Sequence, residues 1–194
     1  MTDKIEIEVP IQLLDAAQYS AGKNNTRFYL NSVVISKGHV VSNDGHRGFA
    51  CKADSIPETL KDIIIPIDTI KHFLKKVPTK IRKAKCTIKY DSQTFNGEIT
   101  IDSRPEIVEV FKGIDAKYPE WQQVIPREHN FNYKDTMPQF NWSYLVDMQK
   151  VQKALGGEGI SIEVCPTDYR GVASIRFFNT NFDHAMGCVM PMRI

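Results

Sequence analysis

Three times along this chain a strand runs directly into an amphipathic helix and then into further strands, and that recurring order restricts the fold more than any single motif. The first occurrence opens with Lys4-Ile5-Glu6-Ile7-Glu8-Val9, whose strict alternation predicts a half-buried strand. Pro10 follows, then a helix predicted from Ile11 to about Gly22, with Leu13, Leu14, Ala17 and Ala21 on one face. Strands are expected over Phe28–Ser36 and Val40–Ala53, around a Lys37-Gly38 turn. In the second occurrence a strand over Asp62–Ile65 meets Pro66, which suits the first turn of a helix running to about Val77, where Pro78 stops it. Ile67, Ile70, Phe73, Leu74 and Val77 share one arc of that helix. Strands at Cys86–Tyr90, Thr94–Ile101 and Ile107–Lys112 complete the unit, with Asp91-Ser92 and Asn96-Gly97 as turn residues. The third occurrence has a strand near Gln139–Trp142 and a helix over Ser143–Leu155 ended by Gly156-Gly157. Strands at Ile160–Cys165, Ala173–Phe178 and His184–Met192 follow it, and Arg127–Pro138 reads as a linker before it. The pattern predicts an α+β protein of three strand–helix–strands units.

With 42% hydrophobic residues in 194, a proper buried core is expected. The net charge is only +2, from 25 basic and 23 acidic residues, so any nucleic-acid contact must come from local segregation of charge. Cys51, Cys86, Cys165 and Cys188 form no C-x-x-C pair, and each falls in a predicted strand, where a reduced thiol behaves as a small hydrophobe. MTDKIEIEVP carries no apolar signal core, and no apolar run nears the ~20 residues that span a bilayer. The expectation is a soluble cytoplasmic protein with no membrane partner. The five histidines make no metal-ligand spacing, and no G-x-x-x-x-G-K-[ST] loop is present. His46 has no nucleophile or acidic partner at a recognisable spacing, so neither enzyme activity nor a cofactor is expected.

Charge does segregate on two of the helices. Residues 66–85 hold seven basic residues against one acidic residue, Asp68. Lys71, Lys75 and Lys76 project away from the apolar arc of the second helix, and Lys150 and Lys153 lie opposite Leu145, Met148, Val151 and Leu155 on the third. Lysines on a solvated face are ordinary. A surface of this kind also attracts duplex phosphate without reading sequence.

Three strings carry a resemblance to a known family. Thr26-Arg27-Phe28-Tyr29-Leu30-Asn31, followed by Asn43-Asp44-Gly45-His46-Arg47, resembles the middle domain of the bacterial DNA polymerase III beta subunit, the DNA sliding clamp. Tyr118-Pro119-Glu120-Trp121-Gln122-Gln123-Val124-Ile125-Pro126 is similar to the segment closing that domain. Asn141-x-Ser143-Tyr144-Leu145, with Val189-Met190-Pro191-Met192-Arg193-Ile194, looks like the second half of the clamp's last domain. The strings stand in family order and cover nearly the whole chain. The resemblance implies a DNA-clamp fold of about one and a half domains: a complete domain over 1–128 and a half domain over 129–194. The family's first domain, and the first half of its last, have no counterpart in the match.

The resemblance implies a DNA-replication protein, a processivity factor that holds double-stranded DNA and tethers DNA polymerase or other enzymes through short peptide motifs. The peptide cleft would comprise Leu30, Asn43, Gly45, His46, Arg47, Pro126, Asn141, Tyr144, Met190, Pro191, Met192 and Arg193. Its methionines would shape an adaptable apolar trough. The sequence departs from the family at Gly48, where an apolar residue normally supplies part of a wall, and an aromatic of the missing half domain has no counterpart. DNA contacts would come from Lys71, Lys75, Lys76, Lys150 and Lys153, and from a loop of Asn24, Arg27, Phe28 and Tyr29. Phe28 and Tyr29 alternate along a predicted strand, so one should face the core. A lone half domain exposes a helix flank and sheet edges, which suggests a homo-oligomer. Counting units against the family's ring gives a tetramer, with a clamp loader as a further partner. The alternative is a clamp-like adaptor or decoy, of the type a phage or mobile element encodes, that binds clamp-interacting peptides without encircling DNA.

Overall fold

The computed structural model describes residues 4–157 and 161–192. Its strands are β1 (Lys4–Pro10), β2 (Ser32–Ser36), β3 (His39–Asn43), β4 (Arg47–Lys52), β5 (Ile63–Pro66), β6 (Lys85–Asp91), β7 (Asn96–Ile101), β8 (Ile107–Lys112), β9 (Glu163–Pro166), β10 (Ala173–Arg176) and β11 (Ala185–Val189). The helices are α1 (Ile11–Ala17), α2 (Ile67–Lys76) and α3 (Trp142–Ala154). Two antiparallel sheets result, ordered β1-β6-β7-β8 and β5-β2-β3-β4-β11-β10-β9. The third unit therefore does not stand apart. Its last strand extends the sheet of the first unit, with Ala185 opposite Cys51 and Val189 opposite Arg47.

The helices pack on the inner faces of both sheets. Every residue of α1 is buried, and α1 touches both α2 and α3. A single apolar core joins Leu13 and Leu14 of α1, Phe73 of α2, Met148 and Val151 of α3, and Ile88, Phe49 and Val189 of the strands. Polar ties reinforce it. Gln12 Nε2 donates to Ala154 O at 3.3 Å, and Arg82 bonds both Asp15 Oδ2 at 3.0 Å and Leu74 O at 3.1 Å. The outer face of the seven-stranded sheet holds a second cluster, where Tyr118, Trp121 and Ile125 cover Leu30, Val34, Val41, Ala50 and Cys188.

Several elements differ from the sequence reading. α1 ends at Ala17 rather than near Gly22: Ala17 O accepts from Ser20 N at 3.1 Å in a tighter turn and from Ser42 Oγ of β3 at 2.6 Å, and Gly22 N turns to Leu30 O at 2.8 Å. Phe28–Leu30 is a 3₁₀ turn, not strand, since Asn31 locks the preceding loop through Asn25 N (2.8 Å) and Asn25 O (2.9 Å). Val40–Ala53 splits into β3 and β4 at the Asp44–His46 turn. Asn96-Gly97 opens β7 instead of turning. The turn lies at the other expected pair, Asp91-Ser92, where Asp91 Oδ1 accepts from Gln93 N at 2.9 Å and Phe95 takes φ 58°. Gln139–Trp142 forms no strand: Asn141 caps α3 by accepting from Ser143 N at 2.9 Å. The last three strands are shorter than expected, and Ile160 lies outside the described residues. All four cysteines sit buried and unpaired in strands.

One charged contact fastens the third unit to the first. Arg47 at the start of β4 has a side chain only 7% exposed and pairs with Asp147 of α3. Its Nε lies 3.2 Å from Asp44 Oδ2 but donates no hydrogen bond, so that second contact is one of charge alone. Asp147→Ala is expected to lower unfolding free energy by about 3 kcal/mol, because a buried guanidinium loses its main partner. Replacing both, Arg47→Met with Asp147→Leu, should return most of that loss, and urea denaturation of the two variants reads the difference.

Candidate functional site

The β3–β4 turn and the first turns of α3 meet at one corner of the molecule. Asp44 Oδ1 accepts from His46 N at 2.8 Å and Arg47 N at 2.9 Å, an Asx-type arrangement that shapes the turn. Gly45 adopts φ +91°, a conformation that favours glycine, and the exposed Arg27 side chain reaches over it, with Nη2 2.5 Å from where a Cβ would stand. The His46 ring stacks on Tyr144, with centroids 5.9 Å apart and planes 16° off parallel. The Arg47 guanidinium also lies over that ring, 4.9 Å from the Tyr144 centroid. His46 O accepts from Met190 N at 2.7 Å, and Gln139 O from Met192 N at 2.8 Å, which brings the C-terminal segment to the corner.

Of the expected cleft residues, His46, Arg47, Tyr144 and Met190 thus come together around this turn. Asn141 serves as the helix cap, and Met192 is exposed beside Gln139. Leu30 is buried in the outer cluster, Asn43 donates to the Tyr118 hydroxyl at 2.8 Å, and Pro191 is buried. Pro126 lines a different hollow, of about 650 Å³, with Trp121, Ile125, His39, His184 and Met186. Arg193 lies outside the described residues. Arg47 is engaged by two carboxylates, so its role at the corner is to set geometry.

Sequence reasoning missed three participants. The Gly48 position is not an open wall: a Cβ there would stand 3.0 Å from Cys188 Sγ and 3.2 Å from the Ile125 side chain. Ile125 and Cys188 therefore occupy the space that an apolar residue at 48 would take. Burial pushes the Cys188 thiol up to about 12, so it acts as an apolar filler. Asp147 is the third, and its place one turn after Tyr144 on the same helix was the available signal.

The cations sort unequally. Lys76 is committed to β8, 2.7 Å from Glu109 Oε2 and 2.9 Å from Val108 O. Lys150 bonds Asp147 at 2.7 Å and lies 5.8 Å from the Tyr19 ring centroid, and Lys71 is 3.6 Å from Asp68. Lys75 and Lys153 are exposed and make no ion pair among the described residues. In the loop, Asn24 and Arg27 are exposed, Phe28 is 58% exposed, and Tyr29 packs against the outer cluster. Asn24, Phe28 and Lys71 line one hollow of about 530 Å³ with Lys23, which joins a loop contact to a helix contact. Among the described residues no three His, Cys, Asp or Glu side chains are grouped to hold a metal, and no helix is long and apolar enough to cross a membrane.

Gly48→Leu is expected to cost about 1–3 kcal/mol by overpacking against Ile125 and Cys188. Adding Ile125→Ala should recover part of the loss, a change visible in thermal or urea unfolding.

No protein-family model matches the chain, and no curated protein matches it in sequence. Solved structures do. The DNA polymerase III subunit beta of Pseudomonas aeruginosa superposes with a TM-score of 0.72 at 18% identity, over 98% of this chain and 67% of that one. The Borrelia burgdorferi subunit, in complex with a natural product, gives 0.75 at 18% over 100% and 64%. The Thermotoga maritima subunit gives 0.70 at 16% over 98% and 66%. The chain spans about two-thirds of the length of these proteins. Across essentially all of its residues, this chain has the fold of the bacterial DNA polymerase III beta sliding clamp.

Proposed function

We propose that the chain is a sliding-clamp-like processivity factor, a non-enzymatic protein that binds duplex DNA without sequence preference and tethers DNA polymerase or other enzymes. The observation that carries this reading is the layer of three helices on clamp-type sheets, with Lys75 and Lys153 exposed on two of them and Lys71 and Lys150 beside them. The hollow of Lys23, Asn24, Phe28 and Lys71 supports a loop contribution, with Arg27 and Tyr29 alongside. Lys76 contributes less, since it is held by β8.

The peptide site in this reading is the corner of His46, Tyr144, Met190 and Met192, on the boundary between a domain over 1–128 and a half domain over 129–194. Closure around DNA requires more than one chain. The two sheets end on β1, β8, β5 and β9, and these edge strands offer pairing to a homo-oligomer, a tetramer by counting units. The adaptor reading, peptide binding without encircling DNA, draws on a specific observation: Lys71, Lys76 and Lys150 all direct their charge at internal carboxylates.

Retention on DNA separates the two. A clamp stays on closed circular DNA through a high-salt wash and leaves linear DNA by its ends, whereas an adaptor shows no such difference. Equal loss from circles and linear DNA would contradict the clamp reading. Lys75→Glu and Lys153→Glu should each weaken duplex binding and reduce the slope of log K against log salt by about 1, the change expected when one fewer phosphate is neutralised.

A further inference from the structure

The helices α2 and α3 present different poles to solvent. Opposite the buried Ile67, Ile70, Phe73 and Leu74, α2 carries Asp68, His72 and Lys75, an ordinary polar face. Opposite the buried Met148, Val151 and Leu155, α3 carries Trp142, Val146 and Lys153. Trp142 is 79% exposed, more than any other large apolar side chain among the described residues. A broad aromatic plane left in water at the first turn of α3 contributes nothing to the core, and Lys150 and Lys153 lie about two to three turns further along the same helix. Phe28 repeats the combination, since it projects beside the hollow that holds Lys23 and Lys71.

A duplex gives such a surface only half of what it can use. Its phosphates suit the lysines, but its bases are stacked inside and offer no face to an exposed ring. An unpaired strand offers both, because each base has a free π-face and each linkage a charge. Sequence tolerance follows, as stacking and phosphate contact do not read base edges.

We propose that the helix-bearing face binds single-stranded DNA running along α3, with an unpaired base stacked on Trp142 and phosphates further along the same strand met by Lys153, which makes no ion pair among the described residues. This extends the duplex-binding reading to the unpaired strand, and rests on that reading only for the direction in which the helix face meets DNA. Val146 lies one turn from Trp142 and gives the stacked base an apolar floor.

The chain has two tryptophans, and the other, Trp121, is only 9% exposed, so fluorescence quenching on ligand addition reports Trp142. Titration with a short oligothymidylate is expected to quench the emission saturably. Trp142→Ala should weaken oligothymidylate binding, read by anisotropy of a labelled strand, by about five-fold or more, the equivalent of ~1 kcal/mol of stacking at the low end. Duplex affinity should stay within about two-fold, since the phosphate contacts remain. Oligothymidylate that binds without quenching, or an equal loss on duplex and single strand in Trp142→Ala, overturns the proposal while the clamp reading stands. An emission change that follows protein concentration with no DNA present also overturns it, by assigning the face to a second copy. Failure of the unaltered protein to bind any DNA removes both.

Discussion

The buried pair of Arg47 and Asp147 holds the rest of the arrangement in register. Arg47 opens β4, the strand that receives β11, and Asp147 sits in the middle of α3. One contact thus fixes the third unit's helix against the same strand that its sheet extends. Two charges taken from water contribute little net stability, but losing one of them is costly. That asymmetry favours a single docking geometry. Tyr144 lies against the same guanidinium, and the His46 ring lies against Tyr144, so the geometry of the corner at the β3–β4 turn depends on the pair.

From that fastening the functional surfaces follow in order. Sheet continuity across β4 and β11 sets the helices side by side, with α1 buried and α2 and α3 presenting lysines. The segment through Tyr118, Trp121 and Ile125 seals the outer face, and Ile125 meets Cys188 where the side chain of a larger residue at 48 would go. The space beside residue 48 is therefore filled rather than open. At the edge, Lys76 bonds Val108 O and Glu109, a lysine guarding an otherwise open strand. The same residue cannot serve fully both as edge guard and as a DNA contact.

Much of the fold was legible because an alternating strand at Pro10, and a short apolar run at Pro66, give way cleanly to an apolar period of about 3.6. The second helix and its following strands came out within a residue or two for that reason. What could not be read was set by particular side-chain bonds. Ser42 bonds the end of α1 from another strand, and Asn31 bends the Phe28 loop, while the turn before β7 lies at the legible Asp91-Ser92 pair and not at Asn96-Gly97. Of the site, the local strings located His46, Tyr144 and Met190. They gave no role to Ile125 and did not include Asp147 or Cys188, all three of which act through contacts far apart in sequence. The engagement of Lys76 was likewise invisible, since Glu109 lies on another element.

The central claim, that this chain builds a closed clamp from several copies, is most directly tested by light scattering of the eluting peak in size exclusion, over a range of protein concentrations and with nicked circular DNA added. The account predicts a defined symmetric assembly whose mass is a fixed multiple of 22.1 kDa and holds on dilution. A monomer at every concentration, with and without DNA, would contradict it.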